Sequence, residues 1–265
     1  MQPSDYNFRP MKRRHIDAVL KIIEAHDEDD FEYARDSYEH SGRSGQYVLM
    51  CENAVIGVTG YRRASDTDNT YWLSWTYLDA EYHGQKLGKL MLEKLFDILK
   101  QKKARKLFVS TSDYVDQEKG SIYQNAINLY KSMGLKEEVV HPDYYNPGES
   151  QLIYGLALQP PQPDRKRAND KRGIVLVELF EIDETEDVYA ADWRFSGRKC
   201  FTADEMKRLL DDARKRNARS VFISFPSDVR KVFKPLEASG FQPCGILENY
   251  FEDGLHEYQF RCTLR

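Results

Sequence analysis

The sequence predicts an α/β (α+β) chain in which one fold is built twice. Three observations carry that reading. Short strand-type apolar stretches alternate with helical stripes along the whole length. A break, QPPQPDRKRANDKR, interrupts them at 159–172 with three prolines, five basic residues and nothing apolar larger than Ala. The order helix, strand, helix, strand, strand then occurs on both sides of that break. With 265 residues there is room for two domains, and 41% hydrophobic residues supply cores despite 31% charged residues.

Before the break, Tyr6–Arg9 reads as a strand. Ile16, Val19, Leu20, Ile22 and Ile23 form a helical stripe over Ile16–Ala25, and a second helix follows over Phe31–His40. Tyr47–Cys51 and Ala54–Tyr61 are strands joined by the turn Glu52-Asn53, and Thr70–Leu78 is a long aromatic strand. A helix to about Lys102, a strand over Lys106–Thr111 and a helix over Ile122–Met133 ended by Gly134 come next, then strands near Lys136–Val140 and Gln151–Leu158. After the break the expected elements are a strand over Ile174–Phe180, a helix over Ala203–Arg216 capped by Thr202, and a strand over Ser220–Phe225. A helix over Asp228–Ala238 and strands near Gln242–Leu247 and Glu257–Leu264 complete the chain.

The two ends align without a gap. Gly134-Leu135 matches Gly240-Phe241, Tyr144-Tyr145 matches Tyr250-Phe251, Gly148 matches Gly254 and Leu158 matches Leu264, all 106 residues apart. Upstream, Ala104–Ser110 matches Ala218–Ser224 at 114 residues, so a deletion of eight separates the two registers. These matches divide the chain into domains at 1–158 and 173–265 with a linker at 159–172.

Composition narrows the function. A net charge of −4 gives no basic field for nucleic acid. Cys51, Cys200, Cys244 and Cys262 form no C-x-x-C pair, so neither a disulfide framework nor a metal site is expected. No run approaches the ~20 apolar residues of a membrane span, and MQPSDYNFRPMKRRH lacks the apolar run of a signal peptide. A cytoplasmic protein without membrane contact is expected. His26-Asp27-Glu28-Asp29-Asp30 is read as a solvated turn between helices, not as a metal site.

The stretch TYWLSWTYLDAEYHGQKLGKLMLEKLFDILKQK, from Thr70 to Lys102, carries the chemistry. A strand enters a loop with Gly84 and Gly88, and a helix starts there. That geometry aims backbone N–H groups and the positive end of a helix dipole at one spot, which suits a pyrophosphate. Glycine matters because a β-carbon would hold the phosphate off the backbone. This stretch resembles motif A of the GNAT acetyltransferases, whose loop reads (Gln/Arg)-x-x-Gly-x-(Gly/Ala), with His83-Gly84-Gln85-Lys86-Leu87-Gly88 in its place. Ala126-Ile127-Asn128-Leu129-Tyr130-Lys131-Ser132-Met133-Gly134-Leu135 is similar to the family's A-x-x-(Leu/Phe)-Tyr-x-x-x-Gly-Phe helix end. Phe108–Ser112 and Asp143–Gly148 resemble further stretches of one GNAT branch.

The resemblance implies a mixed, mostly antiparallel sheet flanked by helices, splayed between two parallel central strands, with acetyl-CoA in the opening. Leu78, His83, Gly84, Gln85, Lys86, Leu87, Gly88 and Lys89 would hold that cofactor, the pyrophosphate on the amides and the pantetheine along the strand ending near Leu78. A small amine or amino-acid-like acceptor would attack the thioester directly. Tyr130 matches the tyrosine that stands beside the CoA sulfur in many family members, and a phenol of pKa about 10 can protonate the leaving thiolate.

The pattern has departures. His83 replaces Gln or Arg, Lys86 replaces a glycine, and Trp72 and Ser110 stand where related members often carry acids, so no general base is evident. Asp79, Glu81 and Asp113 are the nearby carboxylates. In the second half, Arg198, Thr202 and Leu236 replace Gly84, Gly88 and Tyr130, so no CoA site is expected there. A non-catalytic CoA sensor or scaffold is the alternative reading, and a homodimer is a possible assembly.

Overall fold

A computed structural model of the chain describes residues 6–40, 42–117, 120–162 and 172–265. The expected linker at 159–172 falls for the most part outside the described residues. Those residues group into two compact units. One comprises the described residues of Met1–Ser65, Asn69–Val109 and Ala157–Pro160; the other comprises those of Asp66–Asp68, Ser110–Leu156 and Pro161–Arg265. One division falls between Pro160 and Pro161, inside the expected linker, but others fall within strands, after Val109 and after Leu156, so that 110–156 groups with the C-terminal half. The assignment of 1–158 and 173–265 to two copies of a fold is therefore our proposal, and it rests on connectivity.

The first unit runs β1 (Tyr6–Pro10), α1 (Ile16–Glu24), α2 (Glu28–His40), β2 (Gln46–Cys51), β3 (Ala54–Arg63), β4 (Thr70–Leu78), α3 (Leu87–Gln101) and the start of β5 (Lys106–Ser112). Its strands lie side by side in that order, antiparallel except for the parallel pair β4–β5. The alternation of β2 decides the packing. Val48 and Met50 join Val19, Ile23, Ala34 and Tyr38 under α1 and α2, whereas Leu49 and Cys51 join Ile56, Leu87 and Met91 under α3. Helices thus cover both faces of this sheet. Asp27 caps α2 by accepting the Asp30 N–H at 3.0 Å. A β-carbon on Gly57 would lie 2.8 Å from the Met91 sulfur, so the glycine lets α3 approach β3 closely.

The second unit contains the short pair β6 (Val115–Asp116) and β7 (Gly120–Ser121), then α4 (Gln124–Ser132), β8 (Lys136–His141), β9 (Gln151–Ala157), β10 (Ile174–Glu181) and β11 (Val188–Phe195). α5 (Ala203–Lys215), β12 (Ser220–Pro226), α6 (Phe233–Ala238), β13 (Gln242–Glu252) and β14 (Leu255–Thr263) follow. Its strand order is β9-β8-β13-β14-β12-β11-β10, antiparallel except for β11–β12. Thr202 and Glu205 form a capping box on α5. Phe201, Met206, Leu210, Phe225, Leu236 and Phe260 belong to the core beneath α5 and α6.

Two expectations need correction. β11 was not anticipated from the sequence, because Asp192 and Arg194 interrupt the apolar run Val188–Ala191. The helix expected over Asp228–Ala238 is shorter: Arg230–Val232 forms a 3-10 turn, and only Phe233–Ala238 is α-helical. Pro235 lies at a first-turn position, where its missing N–H costs no hydrogen bond.

The same connectivity recurs. In one unit Thr70–Trp72 pairs in parallel with Lys106–Phe108; in the other Val188–Ala190 pairs in parallel with Ser220–Phe222. Both pairings stop after three residues, although β4 runs on to Leu78 and β11 to Phe195. Two hydrogen bonds within the second unit also correspond. Asp68 N–H donates to Phe251 O at 2.6 Å, and Glu186 N–H donates to Tyr145 O at 3.0 Å. Tyr145 and Phe251 occupy matching positions of the repeat, and Asp68 and Glu186 each stand two residues before the parallel pairing.

Burial pushes the Glu257 carboxyl up to about 7 from 4.5, although Gln259 Nε2 donates to it at 2.7 Å. Between those values the folded chain binds more protons than the unfolded one, so stability falls as pH rises through this window. The loss is on the order of 3 kcal/mol for that shift. Urea unfolding at pH 5 and pH 8 checks this. The parent is expected to lose stability at pH 8, and Glu257→Gln to lose much less.

Candidate active site

The site is built from β4, the loop after it and the first turn of α3, all within the first unit. Beyond Trp72 the edge of β4 that meets β5 has no strand partner among the described residues, which leaves Leu73–Leu78 with backbone groups to be satisfied in another way. The other edge pairs with β3 through a bulge. The register moves by one between Val58↔Tyr77 and Gly60↔Ser74, so Trp75 and Thr76 face Thr59. The Thr59 and Thr76 hydroxyls lie 2.9 Å apart across it. A bulge interrupts the ladder and re-aims backbone groups.

After Leu78, Asp79 Oδ1 accepts the Glu81 N–H at 3.0 Å and caps a 3-10 turn over Ala80–Tyr82. Gly84 follows at φ +76, and a β-carbon there would meet nothing within 4 Å. The backbone is therefore open on that side, as the close approach of a phosphate requires. Lys86 is the N-cap of α3 and also takes a left-handed conformation, φ 62 and ψ 16, with no side-chain capping bond. The first intrahelical bond in the turn is Leu90 N–H to Lys86 O at 3.1 Å. The amides of Leu87, Gly88 and Lys89 are the orphan donors of a helix start.

The expected residues from Leu78 to Lys89 are contiguous around this turn, but their side chains have distinct surroundings. Leu78 and Leu87 pack into the core beneath α3. The Tyr6 hydroxyl donates to Gln85 Oε1 at 3.2 Å, and Lys89 pairs with Glu93 at 3.8 Å. His83 Nε2 lies 2.9 Å from Leu78 O; a carbonyl only accepts, so Nε2 carries the proton in this arrangement. Tyr130 is buried on α4 in the second unit, 6% exposed. Trp72 stacks near Phe108 with Arg62 over its ring, and Ser110 is exposed. The Asp79 carboxylate is a turn cap, and Asp113 Oδ1 accepts the Ser150 N–H at 2.6 Å.

The structure adds a group that the sequence did not reveal. The His26 ring lies 5.5 Å from both the Tyr77 and the His83 rings, and the Tyr77 hydroxyl donates to Asp30. The run from His26 to Asp30 is thus engaged with β4, and more than a solvated turn. Among the described residues no cluster of His, Cys, Asp or Glu is arranged to hold a metal, and no helix is long and apolar enough to cross a membrane.

The first unit thus combines a mixed sheet, a parallel pair three residues long and a glycine turn into a helix. Residues 14–135 match the acetyltransferase (GNAT) family. A protein from Desulfovibrio desulfuricans, described as an acetyltransferase of the GNAT family, is similar in structure at a TM-score of 0.50 and 20% identity, covering 58% of this chain and 99% of its own. An aminoglycoside 6′-N-acetyltransferase solved with coenzyme A is similar at a TM-score of 0.50 and 12% identity, covering 60% of this chain and 99% of its own. At such identities the likeness is one of fold. No curated protein matches the chain. Residues 14–135 thus match a GNAT acetyltransferase domain, a fold that supports acyl transfer with acetyl-CoA or CoA.

Lys86 stands where the family loop has glycine and bears the cost of a left-handed backbone. Lys86→Gly is expected to raise stability by about 0.5–1 kcal/mol. Thermal unfolding of the two proteins measures the change.

Proposed function

We propose that the N-terminal domain is an N-acetyltransferase that moves the acetyl group of acetyl-CoA to a small amine. The observation that carries this is that the parallel pairing of β4 with β5 ends at Trp72 and the strand leads into a glycine turn and a helix start with no side-chain cap. The residues fit the donor. Amides of Leu87, Gly88 and Lys89, with the open backbone at Gly84, suit a pyrophosphate. Beyond the β5 pairing, the strand toward Leu78 is the place for an amide-bearing pantetheine arm, and His83 must release the Leu78 carbonyl for a pairing to reach that end.

Acetyl-CoA supplies a thioester whose carbonyl carbon accepts the amine. The chain's groups have three tasks. A backbone N–H freed by the bulge at Trp75 and Thr76 stabilises negative charge on the carbonyl oxygen. On the family resemblance alone, Tyr130 is the residue assigned to give a proton to the departing sulfur. The faces of Trp75 and Tyr77 orient the acceptor. The C-terminal copy serves another purpose in this reading. Trp193 donates its indole N–H to Ser224 O at 2.5 Å, spanning from β11 to β12 where the pair parts, and Thr202 is spent on capping α5.

The non-catalytic alternative draws support from Trp72 and Ser110, which offer no acid or base. Release of free CoA thiol from acetyl-CoA in the presence of an amine panel separates the two. Turnover is expected, with kcat lowered about a hundredfold in Tyr130→Phe. Acetyl-CoA binding without thiol release from any amine would favour the sensor.

A further inference from the structure

We propose that His26 is the proton acceptor for the incoming amine, and that Asp30, held by the Tyr77 hydroxyl, is the counter-ion that draws the amine in as its ammonium. The inference rests on the acetyltransferase reading above and supplies the base that the sequence lacks.

The tautomer of His26 is the first argument. Nδ1 lies 2.9 Å from the Ile22 carbonyl oxygen. An oxygen of that kind only accepts, so Nδ1 carries the proton and Nε2 presents its lone pair. The last turn of α1 therefore fixes both the ring and its basic nitrogen. The ring meets Tyr77 edge-on, with centroids 5.5 Å apart and planes at 65°. His83 lies on another side, also at 5.5 Å. Tyr77 directly follows the bulge of β4, so His26 stands on the helix-covered face of the strand segment assigned to the reacting carbonyl.

Asp30 is the second argument. Its carboxylate accepts the Tyr77 hydroxyl, and its own N–H is held by Asp27 Oδ1, so it is fixed from two sides. Tyr77 thus meets the His26 ring with its own ring and the Asp30 carboxylate with its hydroxyl, and the His83 ring meets His26 from the loop. Trp75 and Tyr77 add aromatic faces favourable to a cation. The Tyr38 hydroxyl is a third observation. It belongs to the same cluster as Trp75 and Tyr77, is 3% exposed and has no hydrogen-bond partner, as expected of a group that meets a ligand or a water. This chemistry favours an aliphatic diamine over an amino acid.

The protons balance. The ammonium gives one proton to His26 Nε2, which passes it to water. The freed lone pair forms the C–N bond as the C–S bond breaks. The second nitrogen proton passes to water as the amide forms, and the sulfur ends as a thiol after taking up one proton, so one proton is released overall.

The experiment uses the full chain with acetyl-CoA and either 1,4-diaminobutane or glycine. The diamine is expected to be the better acceptor. His26→Ala should lower kcat about a hundredfold with unchanged acetyl-CoA affinity, and added imidazole should restore part of it. His26→Gln, which can still donate to Ile22 O, should be as slow without that rescue. Asp30→Asn should raise the KM for diamine about tenfold at nearly constant kcat. Turnover within threefold of the parent in both His26 variants, or a KM indifferent to Asp30→Asn, would overturn the proposal while leaving the acetyltransferase intact. Acetyl-CoA binding with no turnover of either amine also overturns it and supports the sensor. No acetyl-CoA binding at all removes the reading beneath it.

Discussion

The parallel pairing of Thr70–Trp72 with Lys106–Phe108 ends after three residues, and most of the candidate chemistry follows from that limit. Beyond Trp72 the ladder with β5 no longer supplies partners on that edge of β4, and backbone groups left buried without any would cost free energy comparable to lost hydrogen bonds. An extended ligand with amides of its own meets that need in a way water does not, because it also fixes direction and register. In the proposed site the strand would lead such a ligand to Gly84 and the amides at the start of α3, where a negative charge is favoured. The placement of α3 depends in turn on Gly57, whose missing side chain admits Met91.

The second unit shows the same limit met differently. Val188–Ala190 pairs with Ser220–Phe222 for three residues, and beyond them Trp193 reaches across to Ser224 O. A side chain of β11 thus takes up a backbone acceptor of β12 beyond the parallel pairing. The matched bonds Asp68–Phe251 and Glu186–Tyr145 tie the hairpin of one repeat to the loop before the parallel strand of the other. These bonds use backbone carbonyls at matching positions of the Tyr144-Tyr145 and Tyr250-Phe251 pairs.

Local patterns were legible in the sequence. The stripe of Ile16–Ile23, the aromatic alternation of Thr70–Leu78, the cap at Thr202 and the glycine turn at Gly84 all appear as expected, because each is decided within a few neighbouring residues. Features that depend on distant partners were not. β11 hides behind Asp192 and Arg194, and its strand character comes from β10 and β12 on either side. Tyr77 and Asp30 are 47 positions apart, so the contact that turns an acidic run into part of a site exists only after α2 docks on β4. The bulge at Trp75 and Thr76 is likewise a property of two strands, and the left-handed backbone of Lys86 becomes visible only in three dimensions.

Calorimetric titration with acetyl-CoA, of the parent and of Gly84→Asp, tests the central claim most directly. The space beside Gly84 is open, and Asp tolerates its backbone conformation better than most residues, so the variant should fold while placing a carboxylate in the phosphate turn. The account predicts micromolar binding by the parent and its loss in the variant. Absence of binding by the parent, or equal binding by both proteins, would contradict it.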